Sequence, residues 1–263
     1  QWNTYLASDH PQALFAWPPV KEIFSQLGIE GGTLNQEQIF ALGLFSLYTE
    51  KTRGAIKGAE DDLKIPVLAK KVSELPYLGQ AAEDIFRIID VSTGEVRDLP
   101  VLREIRNRIS SLKKEIENSI RKYTSDSSLS QALQSNVPAF RADRELLAVR
   151  ADRKNAVKGI IHEVSATGQT VYIEPEEIVR TNNELVEEEF RLQSELNKIF
   201  RELTENLSKY KSDFIEAQKT MLLLDSTYAA ARWQKSINGI FAEDCDMQEE
   251  PPFISRARHP LLG

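Results

Sequence analysis

The chain has 263 residues, 41% of them hydrophobic and 28% charged, with a formal net charge of −7. That length holds one large or two small domains, and the acidic balance means that nucleic acid could be drawn only to a local basic patch. No apolar run approaches bilayer-spanning length, no secretory signal pattern opens the chain, and the lone Cys245 excludes an internal disulfide framework and fits a reducing cytoplasm.

Gln1-Trp2 is not a natural start, so the chain reads as an internal fragment. Residues 1–98 read as a helical core of short helices joined by turns. Trp17-Pro18-Pro19 precedes a face of Val20, Ile23, Phe24 and Leu27. Gly31-Gly32-Thr33-Leu34-Asn35 is a turn ending in an N-cap, followed by Ile39, Leu42, Phe45 and Leu47. Pro66 and Pro76 punctuate further short helices, Ile85, Ile88 and Ile89 begin another packed face, and Gly94 marks a turn.

From Pro100 one apolar stripe recurs at three- and four-residue spacing: Val101, Ile105, Ile109, Leu112, Ile116, Ile120 and Tyr123. This predicts a long helix over the first part of 99–136, ended or kinked by Ser125-Asp126-Ser127-Ser128. Residues 137–175 change character. Leu147–Arg150, Gly159–Val164 and Thr170–Ile173 are β-prone runs, with turns at Asp152–Asn155 and Ser165–Gln169. They predict a small antiparallel sheet of three or four strands, which must pack on helices or on a partner.

From Glu176 to about Lys235 there is no Gly or Pro. Leu185, Leu192, Leu196, Ile199, Leu203, Leu207, Tyr210, Phe214, Ala217, Met221, Leu224 and Tyr228 follow coiled-coil-like spacing. An unbroken helix over 176–236 would be roughly 80–90 Å long. The fold class is therefore mainly α, with a small antiparallel β element inserted between two long antiparallel helices on a helical core. A compact bundle would also satisfy the stripe; an out-and-back arm is the simpler geometry. Residues 237–263 read as a connector, with one more strand at Phe253–Ala257.

Catalytic signals are sparse. There is no phosphate-binding Gly-x-x-x-x-Gly-Lys-Ser/Thr loop and no metal-ligand spacing, and His10, His162 and His259 lie in three different segments. Glu174, Glu176 and Glu177 flank Pro175 and suit the first turn of a helix, where carboxylates favour the positive dipole end. The cluster that matters is basic: Arg141, Arg144, Arg150, Arg153, Lys154 and Lys158, diluted by Asp143, Glu145 and Asp152. It reads either as an ordinary solvated sheet face or as a grip on phosphates that is indifferent to base sequence. His162, beside Ile160 and Ile161, reads first as a satisfied sheet residue.

Several strings together resemble a known family. The run Gly159-Ile160-Ile161-His162-Glu163-Val164-Ser165-Ala166-Thr167-Gly168-Gln169-Thr170-Val171-Tyr172-Ile173-Glu174-Pro175, followed by Asn182-Asn183, resembles a signature of bacterial MutS-like proteins of the second, recombination-suppressing type. Leu224-Asp225-Ser226-Thr227-Tyr228-Ala229-Ala230-Ala231-Arg232 resembles the end of the MutS lever helix. Arg258-His259-Pro260-Leu261-Leu262 resembles the opening of the MutS ATPase domain. The resemblance covers roughly Pro100 to Gly263.

That resemblance implies a helical core (1–98), outgoing lever helices (99–136), a β clamp (137–175), a returning lever helix (176–236) and a connector to an ATPase domain (237–263). It implies a module that grips branched or duplex DNA, with Arg144, Arg150, Arg153, Lys154, Lys158 and His162 as candidate contacts, and that acts in suppression of homologous recombination. A ribosome-facing clamp, in a factor that splits collided ribosomes, is the alternative; a structural coiled coil is a third. ATP, Mg²⁺, a nuclease domain and homodimerisation would belong to the full-length parent, and this chain carries no cofactor and no catalytic residue of its own in that reading.

Overall fold

The computed structural model describes residues 1–141 and 144–240. They form two compact units. One is Gln1–Glu95 with the chain from Arg201 onward, and the other is Val96–Phe200.

The first unit is helical: α1 (Trp2–Leu6), α2 (Ile23–Gln26), α3 (Gln36–Leu63), α4 (Pro66–Ser73) and α5 (Gly79–Ile88). The N-cap expected at Asn35 starts α3. Its side chain accepts from the Gln38 N–H at 2.9 Å, and the Asn35 N–H donates to the Gln38 side chain at 3.0 Å. Such a capping box satisfies two donors that the first turn leaves open. The helix stops at Lys64, which is left-handed (φ 52°), and Pro66 opens α4 at its first position, where a missing N–H costs nothing. Ile39, Leu42, Phe45 and Ile56 of α3 are fully buried with Leu27, Leu78, Ile85 and Phe214. Gly43 lets α3 and α5 approach, because a Cβ there would lie 2.7 Å from Ile85. Glu50 and Arg53 tie in the connection before α5: Glu50 accepts from the Leu78 N–H and from Arg53, whose guanidinium also reaches the Leu75 carbonyl at 3.0 Å.

The helical run predicted over 176–236 contains a turn at Lys209-Tyr210, between α7 (Glu176–Ser208) and α8 (Lys211–Ser236). The burial stripe continues on α8 through Phe214, Ala217, Met221 and Leu224. Phe214 stacks on Phe24, and the Trp2 indole N–H donates to Thr227 at 2.9 Å.

The second unit holds α6 (Pro100–Ser125), four strands and the first part of α7. The buried stripe on α6 starts at Leu102, not at Val101, which is 46% exposed; it then runs through Ile105, Ile109, Leu112, Ile116 and Ile120. The strands are β1 (Ala139–Arg141), β2 (Arg144–Arg150), β3 (Gly159–Val164) and β4 (Thr170–Pro175). Their order is β1-β2-β4-β3, every pair antiparallel. Since β2 and β3 both pair with β4, they run parallel to each other. The segment expected to be a turn between them is therefore a crossover past β4, made of a 3-10 stretch at Ala151–Ala156 and Val157-Lys158.

Leu147 and Val149 of β2, Val171 and Ile173 of β4, and Val157 of the crossover pack into one cluster. The α6 stripe, Ile178 and Leu185 of α7 complete it. One face of the sheet is thus covered, as a sheet this small requires. Lys113 pairs with Glu189 at 2.8 Å and Arg108 with Glu184 at 2.6 Å, linking α6 to α7. The connector 237–263, with its strand at Phe253–Ala257, lies outside the described residues beyond Ile240, as does Asp143.

Candidate nucleic-acid interface

The six candidate side chains fall into two groups. Arg144 and His162 turn onto Glu174. Arg150, Arg153, Lys154 and Lys158 lie on or beside the crossover.

Glu174 is 1% exposed. The sequence suggested a place in the first turn of a helix, and Glu176 and Glu177 do open α7. Glu174 instead is the last-but-one residue of β4, on the sheet face opposite the apolar cluster. Its Oε1 accepts from Arg144 Nη1 at 2.6 Å and from Asn182 Nδ2 at 2.7 Å, and its Oε2 accepts from His162 Nε2 at 2.6 Å. Arg144 Nη2 also donates to Asn183 Oδ1 at 2.6 Å. Burial alone would push the Glu174 carboxyl up. The hydrogen bonds from Asn182, His162 and Arg144, together with the Arg144 charge, hold it below the ordinary carboxylate range.

Three backbone features converge on the same place. A β-bulge at Ile161/Glu163 inserts His162 as an extra residue, and its ring reaches Glu174. Gly159 pairs with Pro175 so closely that a Cβ would lie 2.0 Å from the Glu174 carbonyl oxygen. The Glu176 N–H, free in the first turn of α7, donates to the Lys158 carbonyl at 3.1 Å. Gly159, His162, Glu174, Asn182 and Asn183, quoted above as parts of a signature, therefore form with Arg144 a knot that joins β2, β3 and β4 to α7. The Asn182-Asn183 pair was the sequence's hint of it; no spacing rule points from Glu174 to Arg144, thirty residues upstream.

The second group faces solvent. Arg150 chelates Asp152 at 3.2 Å, and this hydrogen bond keeps the Asp152 carboxyl below its usual range. Arg153, Lys154 and Lys158 are exposed and make no ion pair with the described residues. The crossover therefore presents three exposed cations within six residues, of which Arg153 also acts on the Asp152 charge. Arg141 lies elsewhere, over the Tyr172 ring at 5.2 Å and 3.7 Å from Glu163. Among the described residues no group of His, Cys, Asp and Glu could hold a metal ion, and no helix is long and apolar enough to cross a membrane.

A mainly helical chain with a four-stranded antiparallel sheet between long helices, knotted at Glu174 and cationic at its crossover, is the class of protein these observations define. Curated relatives give it a neighbourhood. The chain is 29% identical over 246 residues to endonuclease MutS2 of Ligilactobacillus salivarius, covering 92% of this chain and 31% of the relative. It is 30% identical over 208 residues to the putative endonuclease MutS2 of Bacillus subtilis (78% and 26%) and 34% identical over 199 residues to endonuclease MutS2 of Thermotoga maritima (74% and 25%). The chain is thus MutS2-like over most of its length, and it spans a quarter to a third of these relatives. No protein-family model matches it.

Proposed function

We propose that the chain is the core, lever and clamp module of a MutS-like ATPase and grips nucleic acid through its phosphates. The observation that carries this is the crossover: Arg153, Lys154 and Lys158 stand exposed in solvent, with Arg150 beside them, on a chain whose net charge is −7. Cations without base-reading partners bind the regular negative charge of a backbone and not its sequence. Arg144 and His162 serve the clamp differently, by holding Glu174 and so the strands that carry the crossover.

In this reading α6 and α7 are the outgoing and returning levers. They relay motion from ATP binding and hydrolysis, with Mg²⁺, in the longer dimeric protein, as part of a system that suppresses recombination at branched DNA. Names of relatives support the endonuclease activity only for the longer protein.

The test is binding of the 263-residue chain to a labelled four-way DNA junction by fluorescence anisotropy at low and near-physiological salt. Salt-sensitive, sequence-indifferent binding that is lost in Arg153→Glu with Lys154→Glu supports the proposal. Binding that survives both reversals refutes the assignment. Competition by ribosomes stronger than by the junction would move the target from DNA to the ribosome.

A further inference from the structure

Tyr172 stands on the face of the sheet turned away from the apolar cluster, between Val171 and Ile173, which point into that cluster. Directly opposite it on β2 is Ala148, which offers only a methyl group, and on β3 the exposed Glu163. The ring is half-buried. Arg141 reaches it from β1, with Cζ 5.2 Å from the ring centroid. That cover is loosely held: the guanidinium is half exposed, donates to the Phe140 carbonyl at 2.8 Å and lies 3.7 Å from Glu163. Cations over rings and ion pairs are both weak where water reaches them.

Arg150 belongs to the same face. It pairs with Thr170 as Ala148 pairs with Tyr172, so it is a diagonal neighbour of the ring, within reach of a long side chain. It is also the last residue of β2, from which the crossover and its exposed cations Arg153, Lys154 and Lys158 lead off. An aromatic surface and a row of cations thus meet at Arg150.

We propose that Tyr172 is a stacking platform for an unpaired base of a DNA strand whose phosphates lie along the crossover. The proposal rests on the grip on phosphates and adds to it the kind of DNA that is held. The base takes the position of the Arg141 guanidinium over the ring. The freed guanidinium pairs with a phosphate of the same strand, a charge-assisted contact stronger than its distant one to Glu163. A leucine at 172 would pack on Ala148 as well, but only an aromatic face stacks with any base whatever its identity. Bases inside a duplex are already covered on both faces, and exposing one costs unstacking and unpairing. Cations alone hold paired and unpaired DNA through the same phosphates. Tyr172 therefore adds affinity for single strands and unpaired branch points that plain duplex does not receive.

The experiment uses the 263-residue chain at low salt, with a labelled oligothymidine, an oligouridine of the same length and a blunt duplex. Tyr172→Leu should weaken the oligothymidine complex at least about fivefold, the effect of losing one stacked base, and leave the duplex complex unchanged. Its salt slope should match the parent's, because no charge is removed. Tyr172→Phe keeps the aromatic face and should bind as the parent does. In the folded parent, an oligonucleotide carrying 5-iodouracil should photocross-link at Tyr172. Cross-links that spare Tyr172 overturn the proposal. So does a Tyr172→Leu chain that binds the oligothymidine like the parent, or that loses the duplex to the same extent. A tighter hold on the oligouridine overturns the assignment to DNA. The two readings fail separately: Arg153→Glu with Lys154→Glu weakening both ligands while Tyr172→Leu weakens neither leaves the grip standing and the platform overturned. The opposite pattern overturns the grip on phosphates and keeps the platform.

Discussion

Arg144 and Glu174 meet at 2.6 Å across the sheet, from β2 to the end of β4, with the carboxylate sealed from solvent. The pair stands inside a set of donors that leaves little of the carboxylate unsatisfied. A buried charge is tolerable only with such partners, and removing one side of the pair leaves the other uncompensated.

Glu174→Ala should therefore cost about 3 kcal/mol in the sheet unit, the scale seen when one member of a buried ion pair is deleted. Glu174→Gln keeps the shape but turns an amide N–H₂ towards groups that themselves donate, and should cost about 2 kcal/mol. Hydrogen exchange of the β2 and β4 amides reads this out locally. Exchange unchanged from the parent in both variants would mean that the knot adds nothing to the sheet.

The same site sets a pH dependence. The folded-state carboxyl of Glu174 titrates below its unfolded value, which lies near ~4.3. A depressed carboxyl contributes stability that is fully present above the unfolded value and is lost as pH falls through the folded one. Stability of the sheet unit should thus hold from neutral pH to about pH 5 and decline below it. Glu174→Gln should flatten that acid limb. A parent and a variant with parallel acid limbs in a stability titration would exclude Glu174 as its source.

Gly159 leaves no room for a side chain. A methyl group there meets the Glu174 carbonyl at 2.0 Å, and backbone cannot swing aside as a side chain can. Gly159→Ala should cost about 2–3 kcal/mol, the upper range for overpacking. Gly168→Ala is the contrast: nothing lies near its Cβ, and the cost comes from its positive φ (68°), so it should be about 1 kcal/mol. Thermal unfolding of the two variants should rank them in that order.

The sequence revealed the apolar architecture better than the polar one. Apolar periodicity located α6, and turn chemistry located the start of α3 at Asn35. Both signals are local, repeating over three or four residues. The strand runs were visible for the same reason, but their order was not. A turn-like Asp152–Asn155 suits a hairpin as well as a crossover, and only the pairing of β4 with both neighbours decides between them. The turn at Lys209-Tyr210 carries no Gly or Pro, and the stripe of Leu203, Leu207 and Phe214 runs through it without a break in spacing. Glu174 was hidden because its charge is balanced from β2, β3 and α7, at separations of 30, 12 and 8 residues. The sequence grouped Arg144 with the exposed cations of the sheet, and its bonds to Glu174 and Asn183 set it apart, as the bond to Glu174 does for His162.

That separation gives the sharpest prediction. Arg144→Glu and Arg153→Glu make the same charge change nine residues apart. Arg144→Glu sets a second carboxylate against buried Glu174 and should cost several kcal/mol of stability, on the order of 3–5. Arg153 is exposed and makes no ion pair within the described residues, so Arg153→Glu should alter stability by no more than about 0.5 kcal/mol. Binding should sort the other way once folded protein alone is compared. Arg153→Glu with Lys154→Glu removes two phosphate contacts and should reduce the slope of log affinity against log salt by about 2. Arg144→Gln should leave that slope unchanged in the fraction that folds, because its guanidinium is already committed to Glu174 and Asn183. Melting curves and a salt titration on the same samples measure both quantities. A salt slope that falls with Arg144→Gln as much as with the crossover reversals would place Arg144 on the phosphate and remove the distinction between knot and grip.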